Sequence, residues 1–267
     1  MNFSRVLAIM MRQYFLIQGS FSRFIPLFMW VAVDMILWGF MTKFLNQATK
    51  SEYDFVPTLL GAVLLWDFLT RVLQGVTISF FEEIWSRNLL NIFATPLSVF
   101  EYLAGLVLTS IVTSSIGLAV MLLLSTTVFG LNFASYGLSV FPFILILFLF
   151  GIALGIAATA MVLRLGPASE WFVWPIPALV SPFVGVYYPI STLPQWMQFV
   201  AKFLPPTYVF ESMRAIVKGN SVGSSNLFIG FALSAGYIAL ACWFFKATYN
   251  SVINSGLIAR YSAESVS

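Results

Sequence analysis

Apolar segments about as long as a lipid bilayer is thick recur along this chain, at approximately residues 24–43, 56–80, 100–129, 140–163, 171–190 and 227–249. A hydrocarbon core of roughly 30 Å is crossed by about 20 residues in helical form. Helix is the form required, because backbone N–H and C=O groups in lipid must be satisfied within the segment itself. Six such helices leave only short connections in a chain of 267 residues and no room for a large soluble domain. Composition agrees: 60% of residues are hydrophobic and 9% charged, with a mean hydropathy of +0.93, whereas soluble domains carry about 25% charged residues. The predicted fold is all-α, a polytopic membrane protein with one six-helix transmembrane domain over residues 24–249.

The same residues exclude several kinds of chemistry. Thirteen basic and ten acidic side chains are scattered along the chain and form no nucleic-acid-binding patch. Histidine is absent and Cys242 is the single cysteine, so neither a disulfide framework nor a Cys/His metal site can be built.

Residues 1–23 place Phe3, Leu7, Met10, Met11, Tyr14 and Phe15 near helical spacing, with Arg5 and Arg12 between them. This predicts an amphipathic helix lying on the membrane surface. A cleaved signal peptide is the competing reading, disfavoured by the recurring arginines and by the lack of a following small-residue cleavage site. Basic residues orient the chain. With both termini cytoplasmic, Arg5, Arg12, Arg23, Arg87, Arg164, Lys246 and Arg260 lie inside, Lys43, Lys50, Lys202, Arg214 and Lys218 lie outside, and Arg71 falls within a span. Residues 250–267 form a cytoplasmic tail.

Two connections are more than loops. Glu82 to Phe93 follows the second span as an amphipathic stretch ended by Thr95-Pro96-Leu97-Ser98, which predicts a short cytoplasmic helix over residues 82–95. An interfacial connector without a partner is its plainer reading. Between the last two spans, Pro189, Pro194, Pro205 and Pro206 divide an apolar stretch into pieces too short to cross a bilayer. Short helices dipping into the outer leaflet over residues 191–219 are expected, with Pro205-Pro206-Thr207 breaking one before Tyr208 to Val217.

The order of these features resembles the membrane subunits of ATP-binding-cassette exporters of the type-2 permease class. The likeness is sharpest over Ser86-Arg87-Asn88-Leu89-Leu90-Asn91-Ile92-Phe93-Ala94-Thr95-Pro96-Leu97-Ser98, with Glu101 and Gly105 following. It is also sharp over Tyr188-Pro189-Ile190-Ser191-Thr192-Leu193-Pro194-Gln195-Trp196, continuing to Leu204-Pro205-Pro206-Thr207-Tyr208 and Arg214. The resemblance implies a connecting helix at the N-terminus and a coupling helix that docks on an ATPase subunit through Glu82, Glu83, Trp85, Arg87 and Asn88. It also implies an outer gate shaped by Pro194, Trp196, Pro205 and Pro206.

The implied assembly is two copies of this subunit, or one with a related permease, and two copies of a separate ATPase subunit, in a plasma (bacterial inner) membrane. This chain contains no G-x-x-x-x-G-K-[ST] phosphate loop, so it cannot hydrolyse ATP unaided by that mechanism, and the expectation is a chain that is not catalytic alone and binds no cofactor itself. ATP and Mg belong to the partner. The expected function is ATP-driven export of an amphipathic or hydrophobic substrate such as a drug-like compound, a lipid or a lipid-linked glycan.

Asp34, Asp67 and Arg71 fall near the middle of the first two spans, where an unpaired charge costs several kcal/mol, about 3 or more. Asp67 and Arg71 share a helix face, and antiparallel spans bring Asp34 to the depth of Asp67. The favoured reading is an ion-paired cluster fixing spans one and two. The alternative is a polar lining of the substrate path. That cluster is also the only support for a secondary transporter or channel working without an ATPase, since no internal repeat is evident. An intramembrane enzyme has weaker support still.

Trp171, Trp174, Tyr187, Tyr188 and Trp196 read as an interfacial aromatic belt. Gly151 and Gly155 read as a close helix contact. Pro175, Pro177 and Pro182 are expected to bend or break the fifth span.

Overall fold

A computed structural model describes residues 2–19, 26–49, 55–220 and 223–257. Arg23, Lys50 and Arg260, used above to orient the chain, lie outside the described residues. So do Ser51, Glu52 and Asp54 of the first connection and the tail beyond Leu257. Ten α-helices occur among the described residues: α1 (Phe3–Gln18), α2 (Pro26–Thr49), α3 (Gly61–Trp85), α4 (Leu89–Ala94), α5 (Val99–Phe129), α6 (Val140–Leu165), α7 (Ile176–Val184), α8 (Gln195–Ala201), α9 (Pro205–Val217) and α10 (Ser224–Asn254). Among the described residues, four helical stretches have the length and apolarity to cross a membrane: Val56–Trp85, Val99–Phe129, Tyr136–Leu165 and Ser224–Asn254. The protein is a polytopic, all-helical membrane protein. Helix α2, 24 residues long, adds a fifth rod of about 36 Å.

The bundle is built around α3. It packs on α5 and α6, α6 packs on α10, and α1 and α2 lie against α5. Lipid offers no hydrophobic drive for one helix to leave it for another, so close backbone approach has to supply the attraction. Small residues provide it. A Cβ placed on Gly151 or Gly155 would fall within 2.9 Å of Val72 or 2.8 Å of Val76, so the G-x-x-x-G pair of α6 is a close contact with α3. Gly75 is seated against Ser110 in the same way, and Ser110 Oγ donates to the Val72 carbonyl at 2.8 Å. Leu64, Leu69, Phe80, Phe81, Tyr102, Phe143 and Phe150 fill the interior.

Helix α5 starts where Ser98 and Glu101 form a reciprocal capping box. It ends at Gly130, whose left-handed φ of 72° closes the last turn.

The expected fifth span, 171–190, is corrected by the structure. Pro167–Phe172 forms a 3₁₀ turn, and α7 is nine residues long, about 14 Å and too short to cross a membrane. Pro175, Pro177 and Pro182 withhold three backbone donors, and Gly185, at φ 68°, turns the chain out of the helix.

A second correction concerns Pro205 and Pro206. They begin α9 instead of breaking a helix, because a helix's first turn has no intrahelical use for the N–H groups they lack. The break falls just before them, over Lys202 to Leu204.

Candidate functional site

At the α4 end of the bundle one carboxylate gathers three elements. Glu83, in the last turn of α3, has a side chain 1% exposed. Arg12 of α1 donates from Nε to Oε1 and from Nη2 to Oε2, both at 2.8 Å. Gln13 donates Nε2–H to Oε1 at 3.0 Å, and Asn88, beyond the end of α3, donates Nδ2–H to Oε2 at 3.1 Å. Four donors on two oxygens satisfy a buried carboxylate that would otherwise be costly. The hydrogen bond to Glu83 pushes the Arg12 guanidinium still higher than its ordinary range.

The chain leaves α3 by a tight turn. Asn88 N–H donates to the Glu83 carbonyl and Arg87 N–H to the Ile84 carbonyl, both at 2.9 Å, the paired closure of a Schellman motif. That motif places residue 87 in the left-handed region, where glycine is usual, and here Arg87 occupies it with φ 53°. Helix α4 then buries Leu89 and Ile92 and stacks Phe93 edge-on against Tyr102 and Tyr249. Trp85, Ser86, Arg87 and Asn91 face outward, and Trp85 Nε1–H donates to Glu170 at 2.9 Å.

The predicted helix over 82–95 is therefore corrected. Glu82 and Glu83 belong to α3 and are buried, with Glu83 turned wholly inward, and only residues 89–94 form a separate helix. Helix α1 likewise does more than lie on a membrane surface. Its Ile9 fills the space beside Gly105, where a Cβ would fall 2.6 Å from the Ile9 side chain. Its N-terminus is fastened by Asn2 N–H to Glu101 at 2.6 Å and by Arg5 to Glu101 at 3.4 Å.

Beside this clamp, between α1, α2, α3 and α5, opens a cavity of about 610 Å³. Asp34, Asp67 and Arg71 all line it, with Gln13, Trp30, Thr70, Gln74, Glu82, Trp85 and Trp174. These three charges, carried by α2 and α3, are close enough to act on one another, and Asp67 Oδ2 is buried without a hydrogen-bond partner among the described residues. The volume lies within the range of small-molecule sites, about 300–1,000 Å³.

At the far end of the bundle, Arg214 of α9 is buried. It reaches Glu211 at 2.8 Å, and Glu211 also accepts the Ile190 N–H at 3.0 Å, which ties the 190–192 turn to α9. Pro194 caps α8, Trp196 on its first turn is exposed and edge-on to Phe183, and Pro205 and Pro206 are buried.

A family model described as "ABC-2 family transporter protein" matches residues 11–243. The chain belongs to the ABC-2 transporter family. No curated protein matches it significantly. It is an ABC-2 type permease, and in this family ATPase activity resides in separate nucleotide-binding subunits with which the permease pairs.

In this ABC-2 permease the residues that sequence reasoning passed over are Arg12 and Gln13 as ligands of Glu83, Trp30 in the cavity wall, Glu170, and Glu211 beside Arg214. A signal for the first existed. A carboxylate at the end of a span needs a cation, and Arg12 is the basic residue at the middle of the adjoining amphipathic helix.

Proposed function

We propose that two copies of this permease, or one with a related permease, dock on two ATPase subunits. Together they form an ATP-driven exporter for an amphipathic or hydrophobic substrate, a drug-like compound, a lipid or a lipid-linked glycan. The observation that carries this reading is the unbroken helix α3. It bears Asp67 and Arg71 in the cavity wall and Glu83 at the turn that leads into α4.

In this reading the membrane is the plasma (bacterial inner) membrane, the α4 end and both termini are cytoplasmic, and the chain crosses six times. Helices α2, α3, α5, α6 and α10 make five crossings, and the broken segment around α7 makes the sixth. Trp85, Arg87 and Asn88, joined by Asn91, meet the ATPase groove. The exposed apolar side of α2, with Leu37, Phe40 and Phe44, faces the second copy or lipid. Pro194, Trp196, Pro205 and Pro206 shape the outer gate. Closure of the ATPase pair on ATP favours one state of the permease, and differential affinity for the two states drives the change.

The test is purification of the tagged protein in mild detergent from its native source. An ATPase subunit is expected to accompany it, and Arg87→Glu is expected to weaken that association. A chain that purifies alone and is indifferent to ATP would refute the proposal and favour a carrier working without ATP.

A further inference from the structure

We infer that the cavity selects organic cations: its ligand is an amphipathic molecule carrying one positive charge on an aromatic or bulky apolar body. The inference rests on the permease reading and narrows its substrate class.

Charge and shape converge on it. Three carboxylates, Asp34, Asp67 and, nearer the α4 end, Glu82, share the wall with one guanidinium, Arg71, so an anion entering the cavity meets a surplus of its own sign. Asp67 Oδ2 is buried and accepts no hydrogen bond, and a buried acceptor in that condition gains most from a cationic or N–H donor brought by a ligand. Trp30 and Trp174 line the same space, and indole is the side chain whose face attracts a cation best. Leu16, Ile17 and Ile78 also line it and offer an apolar body a surface to pack on. The anion of a zwitterion would have only Arg71 to pair with among the charged residues of this wall.

The test uses tetraphenylphosphonium and tetraphenylborate, ions of the same shape and opposite charge, with quenching of tryptophan fluorescence in the full-length purified permease as readout. Each ion is compared between wild type and variant in one detergent, so its own partition into the micelle cancels. Asp67→Asn is expected to weaken the phosphonium by roughly tenfold and to leave the borate unchanged or tighter. Arg71→Gln is expected to shift the two ions the opposite way.

If Asp67→Asn does not fold, Asp34→Asn, half-buried on α2, carries the same expectation, and Asp67→Glu should retain cation binding. Equal loss of both ions, or no loss in the variants that fold, overturns the inference. ATPase co-purification reads the permease assignment separately. A permease that still captures its ATPase but shows no charge preference disproves only the substrate class.

Discussion

Replacing Arg12 with alanine tests whether the buried carboxylate of Glu83 is what holds α1 in place. The substitution removes both guanidinium bonds at 2.8 Å and leaves each Glu83 oxygen one neutral donor, Gln13 on Oε1 and Asn88 on Oε2. Removing one partner of a buried pair costs about 3–5 kcal/mol. The lower figure applies here, because the Arg12 side chain is 35% exposed and two donors survive. Roughly 3 kcal/mol is a factor of about 150 in an equilibrium.

That cost should appear locally, since α1 meets the rest of the bundle along one side only and can detach without unfolding α3. Hydrogen exchange read over residues 3–18 is therefore expected to lose about a hundredfold of protection, while the amides of α3 and α6 stay as they were. Glu83→Gln is expected to cost less, because the charge it strands on Arg12 is reached by water. The double substitution Arg12→Ala, Glu83→Gln should cost less than the sum of the two single ones. Unchanged exchange in α1 after Arg12→Ala, or strictly additive effects, would refute the assignment of Glu83 as the fastening point.

Arg87→Gly relieves a left-handed residue with a side chain, which costs about 1–2 kcal/mol. The isolated permease should therefore unfold at a higher temperature, while ATPase capture is expected to weaken, because the proposed docking uses the Arg87 side chain. Gly105→Val is expected to push Ile9 and α1 off α5, and proteolysis within residues 3–18 should accelerate in the detergent-solubilised protein.

Much of this architecture was legible in the sequence because lipid imposes a simple length rule. Helices α3, α5, α6 and α10 fall where apolar runs exceed about 20 residues, and the close contact at Gly151 and Gly155 followed from two small residues four apart. The fifth segment has the right length and apolarity, yet three prolines and Gly185 interrupt its hydrogen-bond ladder. Composition sees the apolar run but only proline spacing reveals the interruption.

Glu82 and Glu83 misled for a different reason. Acidic side chains after an apolar run read as the start of a solvated helix. Here α3 continues for another turn, because α1 supplies Arg12 and Gln13 from more than sixty residues away in the sequence. Long-range pairing of that kind leaves no local mark, and neither does the grouping of Trp30 with Trp174 around one cavity.

The unbroken run of α3 has a mechanical consequence. From Asp67 to Glu83 the helix rises about 24 Å, and its only glycine in that interval, Gly75, is locked against Ser110. A rod without a joint cannot absorb motion between its ends. Tilting it by roughly 10° about the level of Asp67 would swing the Arg87 turn through about 4 Å. Conversely, a few ångströms of travel imposed at that turn must reappear as rotation of the wall that carries Asp67 and Arg71. Stroke at one end and angle at the other are then a single coordinate.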